Sequence, residues 1–289
     1  MSWIPTLTLF VMMLALGMTL RPLDFRRLAT MRRAVLLGLL GQLVLLPLVA
    51  FALARVFPLS RTQAIGLVLI AACPGGVVSN VVSRFARGDV ALSISLTAAS
   101  SLVCFLSLPF VVGLALRAFG GDGPHIELAF ADMAAPLFGT TALPALLGMA
   151  VLQLRPALAE RLHRPLLGLS TLVLMLLVIG LAVGVARSSS ELSLGELFRD
   201  VIPPVVALVS ITMGVGLACA RALGLDSATA RTLALEIGLQ NFNLALVVAM
   251  SVIGEQRYAG PALVYLPVMY GFAGIVIAWG IREGRGEAR

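Results

Sequence analysis

The fold class this sequence predicts is an all-α membrane protein of about nine transmembrane helices, two of them broken near the middle. Three observations predict it. Of 289 residues, 60% are hydrophobic and 12% charged, with a mean hydropathy of +1.03; soluble domains run about 45–50% apolar and about 25% charged. Apolar stretches of the roughly 20 residues needed for a span follow one another with short joins. Two stretches also carry helix-breaking or polar residues at mid-length: Cys73-Pro74-Gly75-Gly76-Val77-Val78-Ser79-Asn80 and Glu236-Ile237-Gly238-Leu239-Gln240-Asn241.

The spans are expected at about 3–20, 34–55, 62–87, 89–116, 132–153, 165–186, 201–221, 227–253 and 259–281. The first lacks a basic leader and is followed by Arg21, Arg26, Arg27, Arg32 and Arg33, so Met1 to Leu20 reads as a membrane helix and not as a cleaved signal. The second holds an isolated amide, Gln42, and Pro47, which reads as a bend. The third and eighth are the interrupted ones. The fourth sets Ser93 and Thr97 at i, i+4 and carries Pro109, another bend; the fifth, sixth, seventh and ninth are continuous. The joins near 117–131 and 187–200 hold Gly, Ser and acidic residues and read as solvated loops. No join is long enough for a soluble domain, so residues 1–289 form one integral membrane unit.

Charge orients the chain. It has no Lys, and its 21 Arg fall mainly between apolar stretches, which is a topology signal and not a nucleic-acid surface. Alternate joins starting with 21–33, counted with the span ends beside them (Arg84, Arg87, Arg221 and Arg231), hold 15 Arg and the others, with Arg55, hold 6, placing the N-terminus outside and the C-terminus in the cytoplasm of a cell inner (plasma) membrane. The interrupted spans lie five positions apart in helix order. They therefore cross in opposite directions, as an inverted repeat requires. Cys73, Cys104 and Cys219 lie in apolar runs and suggest no disulfide framework. His125 and His163 fall in joins without metal-binding partners, and no nucleotide-hydrolysis, HExxH or Ser/His/Asp pattern is present. The reading is not an enzyme.

The breaks carry the chemistry. Pro74 removes a backbone donor and Gly75-Gly76 removes stiffening side chains, so carbonyls before the break and amides after it can meet ligands; a plain proline kink is the other reading. The second half-helix starts near Val77, and its positive dipole end favours an anion. Glu236 is the acidic residue within the apolar part of a span, where an ionised carboxylate is costly unless compensated. Gln240 lies one turn on, and Asn241 and Asn243 follow where Gly238 loosens the helix. Ser79, Asn80, Ser93 and Thr97 add neutral oxygens of the kind a hard cation takes, although Ser and Thr also join membrane helices. A protonated Glu236 bonded to a neighbouring helix is the alternative.

With these residues in place, the chain resembles the bile acid:sodium symporter family. The resemblance rests on Gly17-Met18-Thr19-Leu20-Arg21-Pro22-Leu23-Asp24-Phe25, Gln42, Cys73-Pro74-Gly75-Gly76 with Ser79-Asn80, Ala86-Arg87-Gly88-Asp89-Val90-Ala91-Leu92-Ser93 with Thr97, and Glu236 to Asn241. It implies an inverted-repeat transporter with panel and core domains, the core holding two crossing discontinuous helices at about 62–87 and 227–253. It implies nine helices, as in the animal members, where bacterial relatives often have ten. It also implies two sodium ions: one held by Ser79, Asn80, Ser93, Thr97 and Glu236, the other by Gln42, Glu236, Gln240 and the carbonyls of Ile237 and Leu239. An organic anion, bile-acid-like or a small carboxylate, is implied near Val77, Asn80 and Asn241. Two departures touch that anion: Val77 stands where many relatives have a hydroxyl, and Phe242-Asn243 replaces small residues.

The function expected is sodium-coupled symport of an organic anion into the cell by alternating access, with the lipid bilayer as the other partner and a monomer as the simplest state. Two rivals stay open. A proton-coupled carrier would use Glu236 as its proton site; a non-transporting membrane sensor would bind a partner and move nothing.

Overall fold

The computed structural model describes residues 3–21, 30–76, 78–120, 130–187 and 194–286. Among these, the regular structure is helical. In chain order the helices are α1 (Trp3–Gly17), α2 (Arg32–Val56), α3 (Arg61–Ala72), α4 (Val78–Phe85), α5 (Val90–Phe119) and α6 (Phe130–Leu154). They continue with α7 (Pro156–Arg187), α8 (Leu194–Ala222), α9 (Ser227–Gly238), α10 (Phe242–Ile253) and α11 (Gly260–Gly286). Six of these, α2, α5, α6, α7, α8 and α11, hold stretches long and apolar enough to cross a membrane. α3 with α4, and α9 with α10, occupy the two segments expected to be broken.

Local chemistry sets the helix starts. Ser60 and Gln63 form a reciprocal capping box at α3. Asp89 caps α5 through the Leu92 amide at 3.0 Å, and Asp226 caps α9 through the Thr229 amide at 2.8 Å. Two π-helical turns, Gly41–Leu45 in α2 and Phe138–Ala142 in α6, each stand just ahead of a Leu-Pro pair (Leu46-Pro47 and Leu143-Pro144). The proline cannot donate to the preceding turn, and the helix widens there. In α2 that widened turn carries Gln42, fully buried.

Packing sorts the helices into two groups. α1, α6 and α7 pack on one another, and α9 lies among α2, α5, α8 and α11, with α3 between α2, α5 and α11. Every residue of α3 from Gln63 to Ala72, and of α9 from Thr229 to Gly238, is buried. Bulky apolar residues cover the outside instead: on α7, Leu162, Leu169, Leu172, Leu176, Ile179 and Val183 are exposed along one side. A soluble monomer rarely shows so large an apolar patch; hydrocarbon covers it.

Four expectations change. α7 begins at Pro156 and α8 at Leu194, ahead of the apolar windows. Backbone hydrogen bonds carry a helix past its apolar stretch when Glu160, Arg161 and Arg164, or Arg199 and Asp200, can reach water. His163 consequently sits within α7, bonded to the Ala159 carbonyl at 3.0 Å, and not in a join; His125 lies outside the described residues. Gly238 is still helical, and the break comes at Leu239. Arg231, counted above among the topology residues, is inside α9 and 5% exposed.

Candidate functional site

The two breaks meet. Gly75 and Gln240 form an antiparallel bridge, with the Gly76 amide donating to the Leu239 carbonyl at 3.0 Å and the Asn241 amide to the Pro74 carbonyl at 2.8 Å. Backbone groups released by the breaks are thus returned to each other, the condition for irregular backbone at membrane depth. A side chain at Gly75 would not fit: its Cβ would lie 2.9 Å from both Gln42 Nε2 and Glu236 Oε2. The Asn241 side chain caps the helix beyond, accepting from the Leu244 amide at 3.2 Å, and the Tyr265 hydroxyl takes the freed Gly238 carbonyl at 3.0 Å.

Glu236 is fully buried, and among the described residues it makes no ion pair. Its Oε1 accepts from the Ser79 and Ser93 hydroxyls. Its Oε2 faces the Thr97 hydroxyl at 2.9 Å and Gln42 Nε2 at 3.4 Å. Ser79 also reaches the Gly76 carbonyl at 2.7 Å and Thr97 at 3.3 Å. Ser93 reaches Asn80 Oδ1 at 2.8 Å and Ser83 at 3.3 Å. Four hydroxyls, each with one proton, are therefore spread over seven oxygen–oxygen approaches. The knot is short of protons, and turning the Asn80 amide over or protonating Glu236 adds only one donor each.

Across the carboxylate, Gln42 Nε2 donates to the Glu236 carbonyl at 2.7 Å and Gln240 Nε2 to the Ile237 carbonyl at 2.7 Å. Their side-chain oxygens, Gln42 Oε1 and Gln240 Oε1, are buried without a hydrogen-bond partner among the described residues, a condition that costs about 1–3 kcal/mol per group. The Leu239 carbonyl is bonded to Gly76. Oxygen-rich surroundings short of donors, orphaned buried carbonyl oxygens and one negative charge fit a small hard cation. The residues present fit sodium on both sides of Glu236.

Beside the bridge lies a cavity of about 200 Å³, walled mainly by apolar groups such as Met12, Val81, Leu174 and Met269, with Gln240, Asn241 and Asn243 at the break. It separates α1 and α7 from the bridge. Of the residues expected near the substrate, Asn241 lines this cavity, Asn80 turns to the oxygen knot, and Val77 lies outside the described residues. Three participants escaped the sequence reading. Ser83, one turn from Ser79, was visible by spacing; Tyr265 was visible as a hydroxyl within a span; the Gly76 carbonyl had no sequence signal.

Comparison with known proteins shows the family. A model described as the sodium bile acid symporter family matches residues 6–190. The chain is similar to a probable sodium/metabolite cotransporter, chloroplastic BASS2, of Oryza sativa subsp. japonica, 28% identical over 277 residues, 95% of this chain and 63% of that protein. It is similar to an uncharacterized sodium-dependent transporter, YocS, of Bacillus subtilis, 30% identical over 253 residues, 86% of this chain and 75% of that protein. It is also similar to sodium/bile acid cotransporter 4 of Mus musculus, 30% identical over 271 residues, 91% of this chain and 58% of that protein. The chain thus spans less than two thirds of the length of the plant and mouse relatives.

Proposed function

The chain belongs to the sodium bile acid symporter family, and from that premise we propose that it imports an organic anion together with sodium by alternating access. Ser79, Asn80, Ser93, Thr97 and Glu236 hold one sodium ion. Gln42, Glu236, Gln240 and the carbonyls of Ile237 and Leu239 hold a second. The observation that carries this reading is the shortage of protons around a buried, unpaired carboxylate, which a cation relieves and a proton does not. The anion occupies the cavity beside the bridge, where the N-terminal ends of α4 and α10 supply positive potential.

In this reading the chain crosses a cell inner membrane nine times, N-terminus outside. α1, α6 and α7 form a panel, and the helices around the bridge form a core that rocks against it. Two sodium ions with one monovalent anion carry one net positive charge. A potential of about 100 mV then adds about 2.3 kcal/mol per cycle, and each tenfold sodium gradient about 1.4 kcal/mol per ion. Together these drive accumulation of up to several thousandfold.

The test is uptake of labelled bile acids and small carboxylates into proteoliposomes, with and without an inward sodium gradient. Uptake of at least one anion driven by sodium is expected. Uptake that ignores sodium and follows a pH gradient would favour a proton-coupled carrier using Glu236. Binding of a partner without flux of any solute would favour a sensor.

A further inference from the structure

At one end of the bundle a second polar cluster sits apart from the oxygen knot. Arg231, five residues before Glu236 on α9 and thus about 7.5 Å along its axis, is 5% exposed. Its guanidinium pairs with Glu283 of α11, donates to the Arg87 carbonyl at 2.8 Å, and lies 5.4 Å from the Trp279 ring centre. Trp279 Nε1 in turn donates to Glu283 at 2.7 Å. One planar fork therefore bonds α11 and the turn between α4 and α5 at once, a reach that a lysine lacks.

That turn is a demanding element. Arg87 holds a left-handed backbone, φ 53°, without being glycine, and the Gly88 amide closes the turn on the Ser83 carbonyl at 2.8 Å. The turn is seated on both sides: a Cβ at Gly280 would strike the Ala86 carbonyl, and one at Gly88 would strike the Thr232 hydroxyl of α9. Upstream of it stand Ser79, Asn80 and Ser83 on α4; downstream stand Ser93 and Thr97 on α5. The geometry of this turn therefore sets the distance between the two rows of oxygens that converge on Glu236.

We propose that Arg231 is a positioning residue for the sodium site: by tying the α4–α5 turn to α9 and α11, it fixes the spacing of the hydroxyls around Glu236. The inference rests on the sodium reading above. Removing one partner of a buried ion pair is itself destabilising, so the effect assigned to Arg231 is read in sodium affinity and not in sodium-free stability.

The test uses the full chain purified in detergent, its thermal unfolding followed against NaCl with choline chloride holding ionic strength constant. For Arg231→Met the sodium-free melting temperature is expected to fall, as the loss of one partner of a buried pair requires, while half-saturating sodium rises roughly tenfold. That fold-change corresponds to about 1.4 kcal/mol of lost pre-organisation. Arg231→Lys should recover part of the shift. Glu283→Gln, which releases the fork from the α11 side and leaves α9 intact, should move half-saturation in the same direction and decides the question if the Met variant does not fold. Wild-type half-saturation in Glu283→Gln and any folded Arg231 variant overturns the proposal. A wild-type protein without sodium stabilisation, or a Glu236→Gln variant that retains it, overturns the sodium reading itself, and this inference with it.

Discussion

Replacing Glu236 by Gln removes the charge and keeps the shape, and the sodium reading gives it an effect of opposite sign with and without the ion. Without sodium the wild type buries a carboxylate that has no cationic partner among the described residues, a cost of several kcal/mol for an ion in protein interiors. The hydroxyls of Ser79, Ser93 and Thr97 repay part of this, at about 1.5–3 kcal/mol for a hydrogen bond to a charged group. They do so incompletely, since Ser79 and Ser93 have other acceptors within reach. The neutral amide should thus be the more stable in sodium-free buffer, by about 1–3 kcal/mol on the same scale. Sodium at a hundred times its dissociation constant stabilises by about 2.7 kcal/mol per site, and Glu236 serves both proposed sites. At roughly 2–4 °C per kcal/mol, saturation of both sites should raise the wild-type melting temperature by about 10–20 °C and leave the Gln variant unmoved. The two curves should cross as NaCl increases. The assay is thermal unfolding in detergent at pH 8. A Gln variant that is less stable than wild type without sodium, or that still gains several degrees with it, would refute the reasoning.

Four further outcomes follow from particular contacts. Gln240→Ala removes an orphaned oxygen and should raise half-saturating sodium at least tenfold in the same unfolding assay, without lowering sodium-free stability. Val81→Trp fills the wall of the 200 Å³ cavity and should cut labelled-anion uptake more than tenfold while sodium-dependent stabilisation persists. Gly148→Ala sets a Cβ against the Leu14 carbonyl of α1; overpacking of this kind costs about 1–3 kcal/mol, read as a lower melting temperature with unchanged sodium half-saturation. Asp226, held below the usual carboxylate range by the Thr229 amide it caps, contributes stability above its unfolded-state pKa of about 3.9 and loses it as pH falls through the lower folded value. Asp226→Ala should accordingly cost about 1 kcal/mol at pH 7, and its deficit in melting temperature should shrink below about pH 4.

The helices were legible because a span advertises itself over some twenty apolar residues, and the breaks because Pro74-Gly75-Gly76 cannot continue a helix. What could not be read was whatever depends on distant chain. Charge counting takes Arg231 as a topology residue at a span end, and its pairing with Glu283, 52 residues on, lets it be buried. The early starts of α7 and α8 were hidden because hydropathy reports the bilayer and not the helix. For the site, the i, i+4 pairs Glu236/Gln240 and Ser93/Thr97 stood out. Their meeting across 139 residues, Thr97 to Glu236, came from resemblance and not from the residues. The π-helical turn that delivers Gln42 had a cue in Pro47, which was read as a bend alone.

The bridge gives a physical route for coupling ion to anion. Leu239 to Asn241 present two faces at once: the Leu239 carbonyl and Gln240 oxygen are proposed sodium ligands with Glu236 and Gln42, while the same three residues line the cavity. Two hydrogen bonds tie their backbone to the other break, Gly76 to Leu239 and Asn241 to Pro74. On the proposed reading, sodium holding Gln240 and the Leu239 carbonyl also orders the cavity wall and the cap of α10, so the anion meets a finished site. Linkage makes this reciprocal: if saturating sodium tightens the anion 100-fold, about 2.7 kcal/mol, the anion must tighten the two sodium sites by 100-fold in all, or about tenfold each if they share it equally. A transported anion added at saturating concentration should therefore lower half-saturating sodium in the unfolding assay by about tenfold in that case. Half-saturating sodium that ignores the anion, with anion affinity that ignores sodium, would mean that the ions and the cavity are not coupled through this segment at all.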